Sequence, residues 1–450
     1  MAAEEQDPIH AQLAAHFPRL SRDRIYINAA GRTPLPLRSL SVGLEAVRKK
    51  AETPWAIGST DDDRDAIRAL FAGMIGADPR DVCTAPSTSY AIMLAANNLR
   101  CRLTGERSRV LVLEDQMSSH VLPWQEACAH AGDGSLLVVQ RPADFDWTRE
   151  VLREIEGGTV AICAVPPCHW CDGSVLDLEA IGAACAARDV ALVVDATQWL
   201  GGGGALDVRR IGPALQFCAA SVHKWLLGPY GVALCYAAPA FWREAAPLEH
   251  HDRNREGAQH VECLPMGPGG EGYPTAFQPG ALRLDSGGRP SFILMPMLRA
   301  SLELLASTPQ AELADAVGGF TRELAARARA LGFRVPVRHA PCIVGLWPDP
   351  RAMPSAEAIV AALAARKPRP VVVGARFGAI RVSPHAYNTR ADLEVLLRGL
   401  ADAVAPPAEL PPHAHAATAE TPAEGGDFRR AEIGAEEQMR RLWRPQKSQL

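Results

Sequence analysis

No apolar run in this 450-residue chain approaches the length of a membrane span, so no segment is a candidate for crossing a bilayer. An excess of one charge is missing too. Forty-seven basic side chains stand against fifty-one acidic ones, a formal charge of -4, so neither nucleic acid nor an anionic membrane surface is expected as a partner. The amino-terminal MAAEEQDPIHAQ has early acids and no apolar h-region, and no secretory signal is expected from it. The eleven cysteines are odd in number and sit mostly inside apolar runs, which reads as reduced thiols of a cytoplasmic enzyme rather than a disulfide scaffold. The carboxy-terminal Ser-Gln-Leu lacks the basic middle residue of a peroxisomal address.

What is present is ordinary in bulk and specific in one place. An apolar share of 48% with 22% charged residues supplies a large core, and the length exceeds that of one usual domain. The specific place is the stretch from Val190 to Tyr236, which contains one lysine, Lys224. Short apolar runs at Ala191–Val194 and Val232–Tyr236 read as buried strands. Lys224 follows the run Ala219-Ala220-Ser221-Val222-His223 and precedes the turn residues Gly228-Pro229-Tyr230-Gly231, which places it at a strand mouth, where α/β sheets carry their chemistry. Asp195 ends the earlier run in the same way, with Gln198 three residues on. A partly desolvated lysine there can lose its proton and act as an amine nucleophile, and a buried aspartate suits a cationic ring nitrogen. Those are the requirements of pyridoxal 5'-phosphate, with Ser221 and His223 as further donors.

This pattern resembles the class V aminotransferase-like family of fold-type I pyridoxal phosphate enzymes, which includes cysteine desulfurases, kynureninases and isopenicillin N epimerases. The matching elements are Asp195 and Gln198 after one strand, Ser221-x-His223-Lys224 after another, and the Gly228–Gly231 turn; the likeness runs from about Tyr26 to about Leu400. The resemblance implies an α/β fold with a large domain built on a mainly parallel seven-stranded sheet flanked by helices, plus a smaller α+β carboxy-terminal domain. The expected division is an amino-terminal segment over 1–24, the cofactor domain over 25–290, the small domain over 291–405 and a Pro/Ala/Glu/Thr-rich disordered tail over 406–450, with a possible short helix from Phe428 to Trp443.

The same resemblance assigns further residues along the chain. Asn28, in YINAAGRTPLP, lies at the substrate entrance, and Thr88 and Ser89 open a helix whose amides and hydroxyls suit the cofactor phosphate. Met117 stands where family members place a ring-stacking histidine or aromatic residue, a departure that weakens the expected stacking. His120, three residues on, is expected to be packed or exposed. His169, in His-Trp-x-Asp-Gly, is expected as a substrate-side catalytic group because its pKa lies near neutrality, with Trp170 as a pocket wall. Gly288 and Arg289 match a motif that reaches the cofactor of the neighbouring subunit, so a homodimer with shared sites is implied. Arg381, in Arg-x-Ser-x-x-x-Tyr-Asn-Thr, matches the arginine that binds a substrate α-carboxylate.

Two patterns carry less. The single Cys168-x-x-Cys171 pair has no second half-site and is weighed as coincidence, so no metal is expected. The run Gly201–Gly204 lacks a G-x-G-x-x-G register and reads as a flexible connection. For the reaction, a desulfurase of the ordinary kind needs a cysteine on a loop before the carboxylate arginine, and no cysteine follows Cys342. A lyase, by C–S cleavage or β-elimination, or an epimerase acting on an amino acid or its derivative is the reading preferred, with the likeness leaning to the epimerase branch. A transaminase, a kynureninase-like hydrolase and a non-catalytic binding protein on the same fold are the alternatives.

Overall fold

The first strand, β1 (Ile25–Tyr26), stays out of the main sheet, and the next seven build it: β2 (Val82–Ala85), β3 (Arg109–Leu113), β4 (Ser135–Val139), β5 (Val160–Val165), β6 (Ala191–Asp195), β7 (Leu215–Ser221) and β8 (Ala233–Ala237). Their spatial order is β2-β8-β7-β6-β5-β3-β4; every pairing from β7 to β4 is parallel, and β8 alone runs against both of its neighbours. All residues of β5, β6 and β8 are buried, as expected of strands covered by helices on both faces. Burying each valine, leucine or isoleucine side chain contributes about 1.5–3 kcal/mol, so this sheet holds most of the core. The computed structural model describes residues 12–18, 20–257 and 274–405. The expected tail with its helix at 428–443, the first residues of the chain and part of the loop between His250 and Pro290 lie outside those residues.

The described residues up to Val404 form one compact unit. Within it a second hydrophobic cluster gathers around β9 (Val344–Leu346), β10 (Val371–Val372), β11 (Gly374–Arg376) and β12 (Ala379–Val382) with the helices Gln310–Ala330, Ala356–Ala365 and Arg390–Val404. β9, β12 and β11 make an antiparallel sheet, and β1 pairs in parallel with β10. Ile25 and Ile27 thereby join the second cluster: Ile27 accepts from the Ser383 N–H at 3.1 Å, and Ala29 donates its own N–H to the Ser383 carbonyl at 2.9 Å.

Phe333–Val337 forms no strand, only an Arg334–Trp347 bridge. Phe333 and Val335 do face the core, but Pro336 has no N–H for a ladder. The run Gly201–Gly204 is buried rather than a loose connection. Gly201 has φ +95°, and a Cβ there would lie 2.2 Å from the Trp225 carbonyl oxygen; one on Gly202 would lie 2.7 Å from the Trp225 ring. Glycine is required because indole and backbone occupy the space that any side chain would take.

A buried ion pair fastens the edge of the sheet. Arg68, on the helix Asp61–Ile75, is 3% exposed and pairs with Asp285 while also donating to the Val82 carbonyl. Asp285 in turn accepts from the Thr84 backbone N–H at 2.8 Å and the Thr84 hydroxyl at 3.2 Å. Helix, β2 and the segment after residue 280 therefore share one desolvated pair, whose value depends on both partners being present.

Candidate active site

The carboxyl ends of β5, β6 and β7 and the amino terminus of the helix Thr88–Leu99 converge on one cavity of about 230 Å³. Thr88, Ser89, Met117, Trp170, Asp195, Gln198, Ser221, His223 and Lys224 line it, which brings together nine of the residues singled out from sequence. Ser87, Gln116, Ser119, His120, Cys168 and Thr197 line it as well.

Lys224 is placed by a turn that leaves β7 and returns as β8. The Gly228 N–H donates to the Val222 carbonyl at 2.8 Å, and the Val222 N–H reaches the Val232 carbonyl at 3.3 Å. A Cβ on Gly228 would lie 2.8 Å from the Val222 side chain, so this turn needs glycine on steric grounds. Thr33 closes over the backbone by donating to the Lys224 carbonyl. Burial pushes the Lys224 ammonium down to about 8; Asp195 opposes the shift and Arg381 and Arg376 add to it. A sizeable fraction of this amine is neutral near physiological pH, as a nucleophile requires. The His223 ring stacks on Tyr230 at 4.1 Å, and its burial, with Lys224 beside it, pushes its pKa down to about 4.

A chain of hydroxyls connects the helix terminus to Asp195. Ser87 caps the helix by accepting from the Tyr90 N–H at 3.1 Å, and Thr88 and Ser221 bond through their hydroxyls. The Ser221 N–H donates to Thr197 Oγ1 at 3.0 Å, and the Thr197 N–H donates to Asp195 Oδ1 at 3.0 Å. Thr197 was not singled out from sequence. Its signal is the Asp-x-Thr spacing, which lets an aspartate accept from the backbone two residues on. Free helix amides and three hydroxyls at one end suit a phosphate. The Gln198 carboxamide donates to the Ala30 carbonyl at 3.1 Å and accepts from the Trp225 indole at 2.9 Å, which fixes its orientation at the wall. Met117, 37% exposed, lines the cavity with its thioether, a weaker ring contact than the stacking residue first expected.

His169, expected on the substrate side, does not line this cavity. It is fully buried, stacks on Trp147 at 5.1 Å, shares a hydrogen bond with the Glu114 carbonyl at 2.9 Å through Nε2, and accepts from the Cys171 N–H at 3.4 Å through Nδ1. Both ring nitrogens are thus engaged by backbone, and burial lowers its pKa. The ring orders the turn that carries Trp170, whose indole donates to the Asp115 carbonyl at 2.7 Å. The histidine that does line the cavity is His120, also fully buried.

Arg381 is 1% exposed on β12 and donates to the Trp170 carbonyl at 3.1 Å and to Asn28 Oδ1 at 3.4 Å, while its Nε has no partner among the described residues. Burial lowers its pKa to about 10. Asn28 therefore acts on the guanidinium, and a buried cation with an open N–H suits a carboxylate. Gly288 and Arg289 line a separate cavity of about 210 Å³ with Arg64, His251 and Arg253, apart from the Lys224 set of the same chain. Cys168 is fully buried, with its Sγ 3.6 Å from the Gln198 carbonyl and its thiol pushed far up by burial, so it offers no thiolate. Among the described residues no group of histidine, cysteine or acid side chains has metal-binding geometry.

The residues fit pyridoxal phosphate: a depressed lysine at a strand mouth, an aspartate that lines the cavity with one oxygen held by backbone, and an anion cradle at a helix terminus. Comparison with known proteins agrees. The sequence model of the family "Aminotransferase class-V" matches residues 56–259. The chain is 28% identical to the "Uncharacterized aminotransferase YcbU" of Bacillus subtilis, over 72% of this chain and 80% of that protein. It is 26% identical to a "Probable cysteine desulfurase" of Methanothermobacter thermautotrophicus, over 59% of this chain and 64% of that one, and 26% identical to the "Isopenicillin N epimerase" of Streptomyces clavuligerus, over 74% and 82%. Among solved structures, C-DES with glycine covalently linked to its PLP cofactor superposes with a TM-score of 0.72 at 20% identity, covering 86% of this chain and 98% of that one. Residues 56–259 accordingly match an aminotransferase class-V domain, the fold is that of C-DES, and pyridoxal phosphate is the cofactor that the site fits.

Proposed function

We propose that this enzyme is a lyase or epimerase acting on an amino acid or amino-acid derivative, with Lys224 as the amine that holds the cofactor and carries the proton at the substrate Cα. The observation that carries the reading is the connection just before Arg381. β11 returns as β12 through two residues, Phe377 and Gly378, with regular pairing from Gly374–Arg381 to Arg376–Ala379. A sulfur-accepting thiolate on a loop at this point has no loop to stand on. The cofactor supplies an electron sink for the bond that breaks at Cα; the direction of cleavage follows from which groups move protons.

In this reading Arg381 holds the α-carboxylate, Asn28 steadies Arg381, Asp195 faces the ring nitrogen, and Thr88, Ser89 and Ser221 hold the phosphate. Gln198, His223, Met117 and Trp170 make the walls around the ring. The reading includes a homodimer, in which the cavity of Gly288 and Arg289 would meet a second copy's cofactor phosphate, with Arg289 as a bidentate donor. No helix among the described residues is long and apolar enough to cross a membrane, in keeping with a cytoplasmic enzyme.

Transamination is the second reading, favoured by the name of the Bacillus relative. Incubating the holoenzyme with an amino-acid panel and assaying pyruvate, alanine, sulfide, α-proton exchange and epimers separately distinguishes these. Elimination products or epimers are expected. Sulfide together with stoichiometric alanine would make it a desulfurase, a requirement for an amino-group acceptor would make it a transaminase, and no turnover of any substrate would leave a binding protein.

A further inference from the structure

The hairpin that ends in Phe377 and Gly378 also brings a second arginine to the site. Directly opposed residues of an antiparallel pair show their side chains on one face. Gly374 stands opposite Arg381 and Ala379 opposite Arg376, so the two arginines share a face, and each has a cross-strand neighbour with no bulk to displace it. Both reach the same indole: the guanidinium carbons of Arg376 and Arg381 lie 5.7 and 5.6 Å from the Trp170 ring centroid.

Their partners differ. Arg381 is anchored by Trp170 and Asn28, whereas Arg376 donates only to the neighbouring Ala375 carbonyl, at 2.6 Å. Asp115 and Asp172, the acids on this side of the site, are both taken by Arg141, at 3.3 and 2.6 Å. Among the described residues neither Arg376 nor Arg381 has an ion pair. The charge balance is then informative. Asp195 answers a protonated ring, the helix terminus and hydroxyls answer a phosphate, and one α-carboxylate answers Arg381. Arg376 is left without a counter-charge beside a buried cation, a repulsion that a second anion would relieve.

We propose that Arg376 is the subsite for a second acidic group on the substrate, so that the enzyme takes amino acids whose side chain ends in a carboxylate. The guanidinium presents a planar fork suited to a bidentate carboxylate, with the Trp170 ring beside it. Both guanidinium groups also lower the Lys224 pKa. This inference rests on the assignment of Arg381 to the α-carboxylate.

The test is equilibrium binding of matched pairs, L-aspartate against L-asparagine and L-glutamate against L-glutamine, to the holoenzyme, followed by cofactor absorbance and separately by calorimetry. In at least one pair the acid is expected to bind about 10–100-fold tighter than its amide, the range of one or two charge-assisted hydrogen bonds. Arg376→Gln should erase that preference without weakening the amide, Arg376→Lys should keep part of it, and Arg381→Gln should weaken both members. Equal affinities within every pair, or binding of neither member of any pair, would overturn the proposal. So would an equal loss of acid and amide in Arg376→Gln, which would put both arginines on the α-carboxylate. A wild-type protein that takes up no pyridoxal phosphate would remove the cofactor assignment and this subsite with it, whereas a holoenzyme without acid preference would remove the subsite alone.

Discussion

The carboxamide nitrogen of Gln116 lies 2.7 Å from Nδ1 of His120 and thereby sets which nitrogen of that imidazole carries the proton. Gln116 Oε1 accepts from the Leu113 backbone N–H at 2.9 Å, which fixes the amide the right way round, and Nε2 spends its other hydrogen on the Ala164 carbonyl at 3.2 Å. Nδ1 must therefore accept, so Nε2 holds the hydrogen of the neutral ring. That Nε2 is buried with no partner among the described residues, in a side chain that lines the cofactor cavity.

His120 is accordingly expected to stay neutral through the physiological range, because burial pushes its pKa from an ordinary 6.5 down to about 4. The unfolded chain binds this proton more readily, so the His120 contribution to stability is complete above about pH 6.5 and is lost as pH falls toward 4. Nitrogen-15 spectra of the labelled ring should show a protonated Nε2 and a bare Nδ1, unchanged from pH 8 down to pH 6. A ring that titrates near pH 6.5 would contradict the assignment. Unfolding free energies measured across the acid range should show a shallower loss for His120→Asn than for the wild type.

Lys224 gives the opposite end of the pH scale. Its pKa is depressed from 10.5 to about 8, so between those values the unfolded chain binds more protons than the folded one, and stability of the cofactor-free protein rises with pH across that window. Uptake of pyridoxal phosphate by the cofactor-free protein, followed by visible absorbance, should rise with a midpoint near pH 8 and level off above it. Lys224→Ala should lose the absorbance altogether; a band unchanged in that variant would end the cofactor assignment.

Removing the arginine on β12 should separate substrate affinity from cofactor affinity. Arg381→Leu is expected to keep the pyridoxal phosphate band while weakening amino-acid binding by roughly 100-fold, about 3 kcal/mol, the scale of a lost charge-assisted pair. Arg381→Lys should recover little, because an ammonium cannot serve Trp170, Asn28 and a carboxylate together. Full substrate affinity in Arg381→Leu would show that another group binds the carboxylate.

The Arg68–Asp285 pair offers a stability test remote from the chemistry. Arg68→Leu leaves Asp285 buried with only Thr84 for a partner and should cost about 3–5 kcal/mol in urea unfolding. The double change Arg68→Leu with Asp285→Leu should recover part of that loss, since no orphaned charge remains. A single variant as stable as the wild type would show that water reaches the carboxylate.

What sequence revealed and what it hid divide along physical lines. Strand β6 is legible to within a residue, because a strand covered on both faces must be a short, unbroken apolar run. Asp195 and Lys224 stand out as charges ending such runs. His169 misleads because its partners are backbone groups of Glu114 and Cys171, which no residue pattern announces. His120 escapes for a related reason: its meaning depends on how the turn after β3 folds Gln116 back onto Leu113. Gly201 and Gly202 look flexible because Trp225, whose backbone and indole make them obligatory, lies far along the chain.

The two-residue tip at Phe377 and Gly378 has an engineering consequence. Both residues are exposed, so inserted residues there would extend into solvent without disturbing the pairing of β11 with β12 or the core beneath. A graft of several residues carrying one cysteine would therefore ask, on an otherwise unaltered scaffold, whether the length of a single connection is enough to admit sulfur transfer.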